Sequence, residues 1–373
     1  MAAVVCGSGA DKQPHTAGTK TRLSAANTTL EPGRKRKPLA CWSARIAFVR
    51  IVMKPKIAIA LPLPQDLLSD LQSWAQPMLA PSDRAWQAAE WQACLAQADA
   101  ALISVFTSVQ AADLSAAPHL RMIASVGVGT NHMDVAACQR AGVQLSNTPG
   151  VVEHPTADHA FALLLGAARQ LAAADAFIRQ GLWRQPIAPL LGLDVHHRTL
   201  GIVGLGGIGR QIARRAAGFD MEVLYTQRTP LSAAQQAEYG AQYLPLDELL
   251  ARADFVVLQL PYNADTHHLI GRRELALMKP SAIVINTARG GVVDDLALAE
   301  ALQQGRIAGA GLDVFEGEPQ IPPQLLQAPN LLLSPHLGSA TAATRRAMLE
   351  LAIENLQAYF KQGRSLNPVV NRL

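Results

Sequence analysis

The stretch Thr199-Leu-Gly-Ile-Val-Gly-Leu-Gly-Gly-Ile-Gly-Arg210 constrains this chain more than any other. An apolar strand runs into Gly204-x-Gly206-x-x-Gly209, and a helical pattern follows. Gly204 permits a tight turn, and Gly206 lets backbone approach a pyrophosphate. Gly209 allows the helix to pack close to the strand, while the helix N-terminus faces the negative charge. The spacing alone is weak, because glycine-rich turns also arise for steric reasons. The strand before, the helix after and a second strand beyond make it a dinucleotide loop.

That second strand, Met221-Glu-Val-Leu-Tyr-Thr226-Gln-Arg228, speaks to the cofactor. An NAD site usually ends this strand with a carboxylate for the ribose 2′-hydroxyl. Here Thr226 takes that place and Arg228 follows, a pairing suited to a 2′-phosphate. The expectation is NADP, with NAD as the alternative should Arg228 be an ordinary solvated arginine.

Around this loop, short apolar runs alternate with helical stretches, the pattern of parallel α/β architecture. Strands are expected at 56–61, 101–105, 122–125, 144–147, 199–203, 222–225, 255–260, 282–286 and 331–334. Helices are expected at 158–180, 208–219, 295–304 and 341–362, with another beginning at His267-His268. Pro149-Gly150 and Ser334-Pro335 are natural crossings between two domains. The predicted fold is two doubly wound parallel-sheet domains. A Rossmann domain, 153–335, is inserted in a flavodoxin-like substrate domain, 53–152 plus 336–373.

Charge divides the chain unevenly. Residues 1–52 hold nine Lys/Arg against two acids, whereas the remainder holds 24 against 27, so the body is mildly acidic. A net charge of +4 therefore does not point to nucleic acid. Residues 1–52 read as a disordered basic extension. A targeting peptide or a basic arm built on Arg34-Lys-Arg-Lys37 is the alternative, and the working chain is expected to start at Met53. Cys6, Cys41, Cys94 and Cys138 lack metal-ligand or redox spacing, so a reducing, cytoplasmic setting is expected. The apolar run 46–63 is broken by Arg50, Lys54 and Lys56, so no membrane partner is expected.

Three segments deliver chemistry to strand ends, where open α/β sheets bind ligands. Ile283–Gly291 carries Arg289, Gly309–Pro319 carries Asp313, Glu316 and Glu318, and Leu331–Ala340 carries His336. Arginine grips carboxylate oxygens bidentately, and imidazole transfers protons near neutrality when a carboxylate orients it. Together they suit an anionic carbonyl substrate.

With these motifs the chain resembles the D-isomer-specific 2-hydroxyacid dehydrogenases, nearest to the glyoxylate/hydroxypyruvate and 2-ketogluconate reductases. Ser125-Val-Gly-Val-Gly129, Asn147-Thr-Pro-Gly-Val151, Leu193-Asp-Val-His-His197, Asn286-Thr-Ala-Arg-Gly290, Gly311-Leu-Asp-Val-Phe315 and Ser334-Pro-His-Leu-Gly-Ser339 carry the likeness, which spans about 54–373. It implies a catalytic Arg289, Glu318 and His336, with Glu318 before Pro319 fitting better than Glu316. It also implies a substrate carboxylate on the N–H groups of Val126 and Gly127. The implied reaction is NADPH-dependent reduction of a small 2-oxo acid, with His336 as general acid. Candidate cofactor contacts are Gly204, Leu205, Gly206, Gly207, Ile208, Gly209, Thr226, Arg228, Leu260, Pro261, Thr287, Asp313 and Gly338. Asp313 stays open between cofactor contact and structural hydrogen bonding, and Thr156 is a candidate to face the cofactor near His159. His196-His197 and His267-His268 read as structural, and Trp183 as an interdomain or dimer-packing aromatic in a homodimer. A nucleotide-sensing binding protein on the same fold, and an NAD-using sister dehydrogenase, are the competing readings.

Overall fold

The computed structural model describes residues 54–81, 84–187 and 189–369. The expected extension therefore lies outside the described residues. The described residues belong to one compact unit containing two sheets.

The first sheet comprises β1 (Lys56–Ile59), β2 (Gln76–Met78), β3 (Ala100–Ser104), β4 (Met122–Val126) and β5 (Gln144–Ser146), in the order β2-β1-β3-β4-β5. The second comprises β6 (Thr199–Val203), β7 (Glu222–Thr226), β8 (Ala241–Tyr243), β9 (Phe255–Leu258), β10 (Ile283–Asn286), β11 (Gly309–Leu312) and β12 (Leu331–Leu333). Its order is β12-β11-β10-β9-β6-β7-β8. Every strand pair is parallel. Helices cover both faces, which is why β9 and β10 are buried along their whole length and read as unbroken apolar runs. Two edge strands, β2 and β8, lie outside the expected set; each is only three residues long.

The chain moves between the sheets through two helices. Glu153–Ala168 follows β5 and packs against β10, β11 and the helix after β6. Ala342–Gln362 follows β12 and returns to pack on β3 and β4.

Two helix expectations need correction. The predicted helix 158–180 is two helices, Glu153–Ala168 and Leu171–Arg179, bent by 59°. Gln170 sits at φ 51°, which ends the first helix, and no residue of the second is buried. His267-His268 do not begin a helix. Asn263 Oδ1 accepts the N–H groups of Asp265 and Thr266, folding 263–268 into turns. The next helix waits until Arg272–Leu277.

Cys94 and Cys138 are buried free thiols, and burial pushes both up to about 11. Among the described residues, no single helix is long and apolar enough to cross a membrane.

Candidate active site

The strand order of the second sheet reverses between β6 and β9, and the glycine loop leaves the sheet at that point. Gly204 has φ +100°, and its N–H donates to Thr226 O at 2.9 Å. A Cβ there would strike Gln259 O, and a Cβ on Gly209 would strike Gly204 O. Both glycines are thus required by the protein's own packing. Gly206 differs: a Cβ there would meet nothing within 4 Å. The space kept clear at Gly206 fits a group from outside the chain, at the start of helix Gly207–Ala216, where N–H groups face an anion.

A cleft of about 270 Å³ opens over this loop. Gly206, Gly207, Ile208, Leu260, Pro261 and Thr287 line it, as expected for cofactor contacts. Leu205 is buried, with its N–H donating to Gln227 Oε1 at 3.2 Å. Thr226 ends β7, and Arg228 lies exposed beyond it with no ion pair among the described residues. No carboxylate follows β7 before residue 230.

Arg289 stands three residues past β10. Asn286 shapes the turn by accepting from Ala288 N–H and donating to Arg289 O, both at 3.0 Å. The Arg289 Nε donates to Asn131 Oδ1 at 3.1 Å, and its Nη1 to Ala288 O at 2.7 Å. A side chain on Gly129 would run into the guanidinium. The loop after β4 of one sheet therefore cradles an arginine delivered by the other. Burial pushes the Arg289 pKa down while Glu318 opposes the shift, and the group stays charged.

His336 Nδ1 lies 2.8 Å from Glu318 Oε2, and Glu318 Oε1 accepts Phe315 N–H at 2.8 Å. With Nδ1 engaged, Nε2 is the nitrogen left for chemistry. Glu316 turns away to His268, at 2.8 Å from its Nε2, so Glu318 is the histidine's carboxylate. Asp313 anchors the segment: its carboxylate accepts Leu337 N–H at 2.7 Å and Gly338 N–H at 2.8 Å, besides Ser334 and His159. Its backbone oxygen accepts His336 N–H at 2.9 Å. Burial pushes the Asp313 pKa up, yet the His159 and Ser334 hydrogen bonds outweigh it and the carboxyl sits below its ordinary value. Structural hydrogen bonding thus occupies Asp313, although it also borders the cavity.

That cavity, about 80 Å³, is bounded by Arg289 and His336 together with Gly338, Thr156, Phe106 and Arg345. The Phe106 ring stands edge-on to His336 at 5.4 Å between centroids. Thr156 is buried against Gly338, and His159 serves Asp313 and Ser334.

Val126 and Gly127, expected at the substrate carboxylate, border the cavity beside Arg289 and His336. Val126 closes β4 opposite Ser104, and Gly127 N–H already donates to the buried Thr148 hydroxyl at 3.0 Å. Gly127 takes φ +150°, which turns the chain so that the next two N–H groups, of Val128 and Gly129, come free. Among the described residues neither has a partner, and both residues line the cleft. His196-His197 lie in a turn before β6, and Trp183 is exposed, away from the site. Asn131, Gln259 and Arg345 were not anticipated. Asn131 sits just past a strand end, the signal that marked Arg289, whereas Arg345 lies inside a helix with no local signal.

Known proteins resemble this chain in sequence and in fold. Residues 161–338 match the family described as D-isomer specific 2-hydroxyacid dehydrogenase, NAD binding domain. A glyoxylate reductase of Thermococcus gammatolerans is 43% identical over 325 residues, covering 86% of this chain and 97% of the relative. The glyoxylate/hydroxypyruvate reductase B of Citrobacter koseri is 43% identical over 307 residues, 82% of this chain and 94% of its own. Among solved structures, a glyoxylate reductase from Paecilomyes thermophila superposes with a TM-score of 0.79 at 34% identity, covering 86% of this chain and 99% of that one. An NADPH-dependent glyoxylate/hydroxypyruvate reductase from Sinorhizobium meliloti, in complex with NADP and malonate, gives 0.75 at 34% identity, over 85% and 97%.

Proposed function

The chain belongs to the D-isomer-specific 2-hydroxyacid dehydrogenase family and is an oxidoreductase; from that premise we propose that it reduces glyoxylate and hydroxypyruvate with NADPH. The observation that carries the proposal is that Arg289 and His336 border one small cavity beside the dinucleotide cleft, with Glu318 backing His336 through Nδ1. The cavity opens into the cleft along shared walls at Val128, Ile208 and Arg289, so substrate size is read from rates, with 2-ketogluconate as the larger candidate.

Each part of the chain has a task in this reading. The N–H groups at Gly207 and Ile208 hold the pyrophosphate, and Leu260, Pro261 and Thr287 border the bound cofactor. Arg228 and Thr226 hold the 2′-phosphate, where no carboxylate repels it. The cofactor, when bound, supplies a hydride to C2 of the 2-oxo acid. The backbone N–H groups of the turn that begins at Val126 and Gly127, with the Arg289 guanidinium, hold the substrate carboxylate, and Arg289 polarises its carbonyl. His336 Nε2, as imidazolium, gives its proton to the carbonyl oxygen, and Glu318 stabilises that cation through Nδ1. General acid catalysis of this kind contributes roughly 10²–10⁴-fold.

Steady-state rates with glyoxylate, hydroxypyruvate and 2-ketogluconate, each with NADPH and NADH, test the proposal. Turnover of the small acids with NADPH is expected. Absence of turnover with any 2-oxo acid would overturn it, and a preference of about tenfold for NADH, some 1.4 kcal/mol, would overturn its cofactor half.

We also propose a homodimer in the cytoplasm. Leu171, Ile178, Leu182, Trp183 and Ile187 are exposed along one arm, an apolar surface that a second copy would cover. Sedimentation equilibrium checks this; a monomer at micromolar concentration would refute it.

A further inference from the structure

Outside the catalytic cavity, two imidazoles and a carboxylate converge. The ligand atoms of His267, His268 and Glu316 all lie within 4.8 Å of one another. Consecutive side chains in extended backbone point to opposite sides. Here His268 takes φ 50°, a left-handed conformation uncommon for histidine, and the two rings instead stack with centroids 3.8 Å apart. The loop is held in that shape from outside, because His268 N–H donates to Gly291 O at 2.7 Å and Ile270 N–H to Val292 O at 3.1 Å. A conformation that the surroundings impose is a reason to look for a use.

The partners behind the rings favour metal ligation. Tyr262 Oη lies 3.1 Å from His267 Nδ1, so in the tautomer where Nδ1–H donates to the hydroxyl, Nε2 presents its lone pair. On the other ring, Nδ1 faces Asp294 Oδ2 at 4.0 Å while Nε2 faces Glu316 Oε2 at 2.8 Å. Asp294 uses its other oxygen, Oδ1, to cap the following helix through Leu296 and Ala297 N–H, so its Oδ2 lies near Nδ1 as a negative charge without a hydrogen bond to it. A ring nitrogen hydrogen-bonded behind the metal, as His267 Nδ1 is to Tyr262, is the usual support of a metal-binding histidine. Two imidazoles and one carboxylate match a borderline divalent ion, and hard cations such as magnesium prefer all-oxygen sites.

We propose that His267, His268 and Glu316 form a binding site for a divalent transition-metal ion of the zinc class. The fourth position is left to solvent, since His267 and Glu316 are exposed. The ion would fasten the 262–268 loop to the turn 316–319, in which Gly317 alone separates Glu316 from the Glu318 that pairs with His336. The competing reading is a surface ion pair between His268 and Glu316, which needs no third ligand and contributes little.

Titration of the full chain with zinc against a chromophoric chelator, without substrate or cofactor, separates the two. The site predicts stoichiometric binding, and His267→Ala and Glu316→Gln should each weaken it by about tenfold or more. Both variants should keep the metal-free rates, because neither residue touches the cavity. A zinc-dependent rise in melting temperature should appear in the unaltered chain and vanish in His267→Ala. No stoichiometric binding, or full affinity retained in either variant, overturns the proposal.

Discussion

Asn131 and Arg289 are 158 residues apart in sequence, yet the amide oxygen of the first accepts from Nε of the second at 3.1 Å. The two come from different sheets, one beyond β4 and the other beyond β10. Besides Ala288 O, Asn131 supplies the fixed acceptor for this guanidinium, and Gly129 leaves the room it occupies. Asn131 is thus a positioning residue, and the arginine is aimed only while the loop of one sheet meets the strand end of the other. Asn131→Leu should lower kcat/KM for 2-oxo acids by about ten- to hundredfold, the worth of a hydrogen bond to a charged group. The loss should fall mainly on KM, with NADPH affinity unchanged. Asn131→Asp, which keeps an acceptor oxygen, should restore most of it. Equal damage from both substitutions would count against the positioning role.

His336 and Glu318 should separate chemistry from binding. His336→Ala removes the proton donor, and turnover should fall by roughly 10²–10⁴-fold. Glu318→Gln keeps a hydrogen-bonding group near Nδ1 but removes the charge that stabilises the imidazolium. Its turnover should fall less than in His336→Ala. Fluorescence titration with NADPH should show unaltered affinity in both. Normal rates in His336→Ala would remove His336 from the mechanism.

Arg228 tests the cofactor assignment. The side chain is exposed and has no ion pair among the described residues, so its replacement should leave folding intact. Arg228→Ser should raise the NADPH dissociation constant by about tenfold or more, as expected for losing a charged hydrogen bond to phosphate. Binding of NADH, which lacks that phosphate, should hardly change. Equal loss for both cofactors would show that Arg228 does not read the 2′-position.

How much of this was legible follows from the range of each interaction. Gly209 announces itself because its constraint, Gly204 O, belongs to the same loop. Gly204, held by the distant Gln259 O, is legible only through the spacing it shares with Gly209. Arg289, Glu318 and His336 each follow an apolar run. Val126 and Gly127 border the cavity as the resemblance implies, but the turn after them, which leaves the Val128 and Gly129 N–H groups free, was not legible. Only the Thr148 hydroxyl, 21 residues away, takes the Gly127 N–H, and no local pattern reports it. Asn131 was missed for the same reason, since its partner belongs to another sheet, and Arg345 because it lies inside a helix with no local signal. The His267-His268 turn depends on Asn263 capping its own loop, which outweighed the expected helix start.

Two buried groups should give the chain's stability opposing responses to pH. Burial raises Asp295 from 3.8 to about 6, with the Glu316 and Asp294 charges pushing the same way. The folded chain therefore keeps a proton that the unfolded chain releases. This contribution is full below about pH 3.8 and lost as pH rises through about 6. His132 moves the other way, from 6.5 to about 4, through burial and then the nearby Arg289 charge. Its ring stays neutral against Ser125, 3.0 Å from the hydroxyl, while the unfolded chain would bind a proton. That contribution is full above about pH 6.5 and lost as pH falls through about 4. Each is on the order of 3 kcal/mol, so the two largely cancel in the unaltered chain. Asp295→Asn, which can still accept Glu316 N–H, should expose the histidine: stability then climbs with pH across this window. His132→Gln should expose the aspartate, and stability then falls with pH. Urea unfolding across the same window measures both slopes. An Asp295→Asn variant with the slope of the unaltered chain would mean that Asp295 titrates near its ordinary value despite its burial.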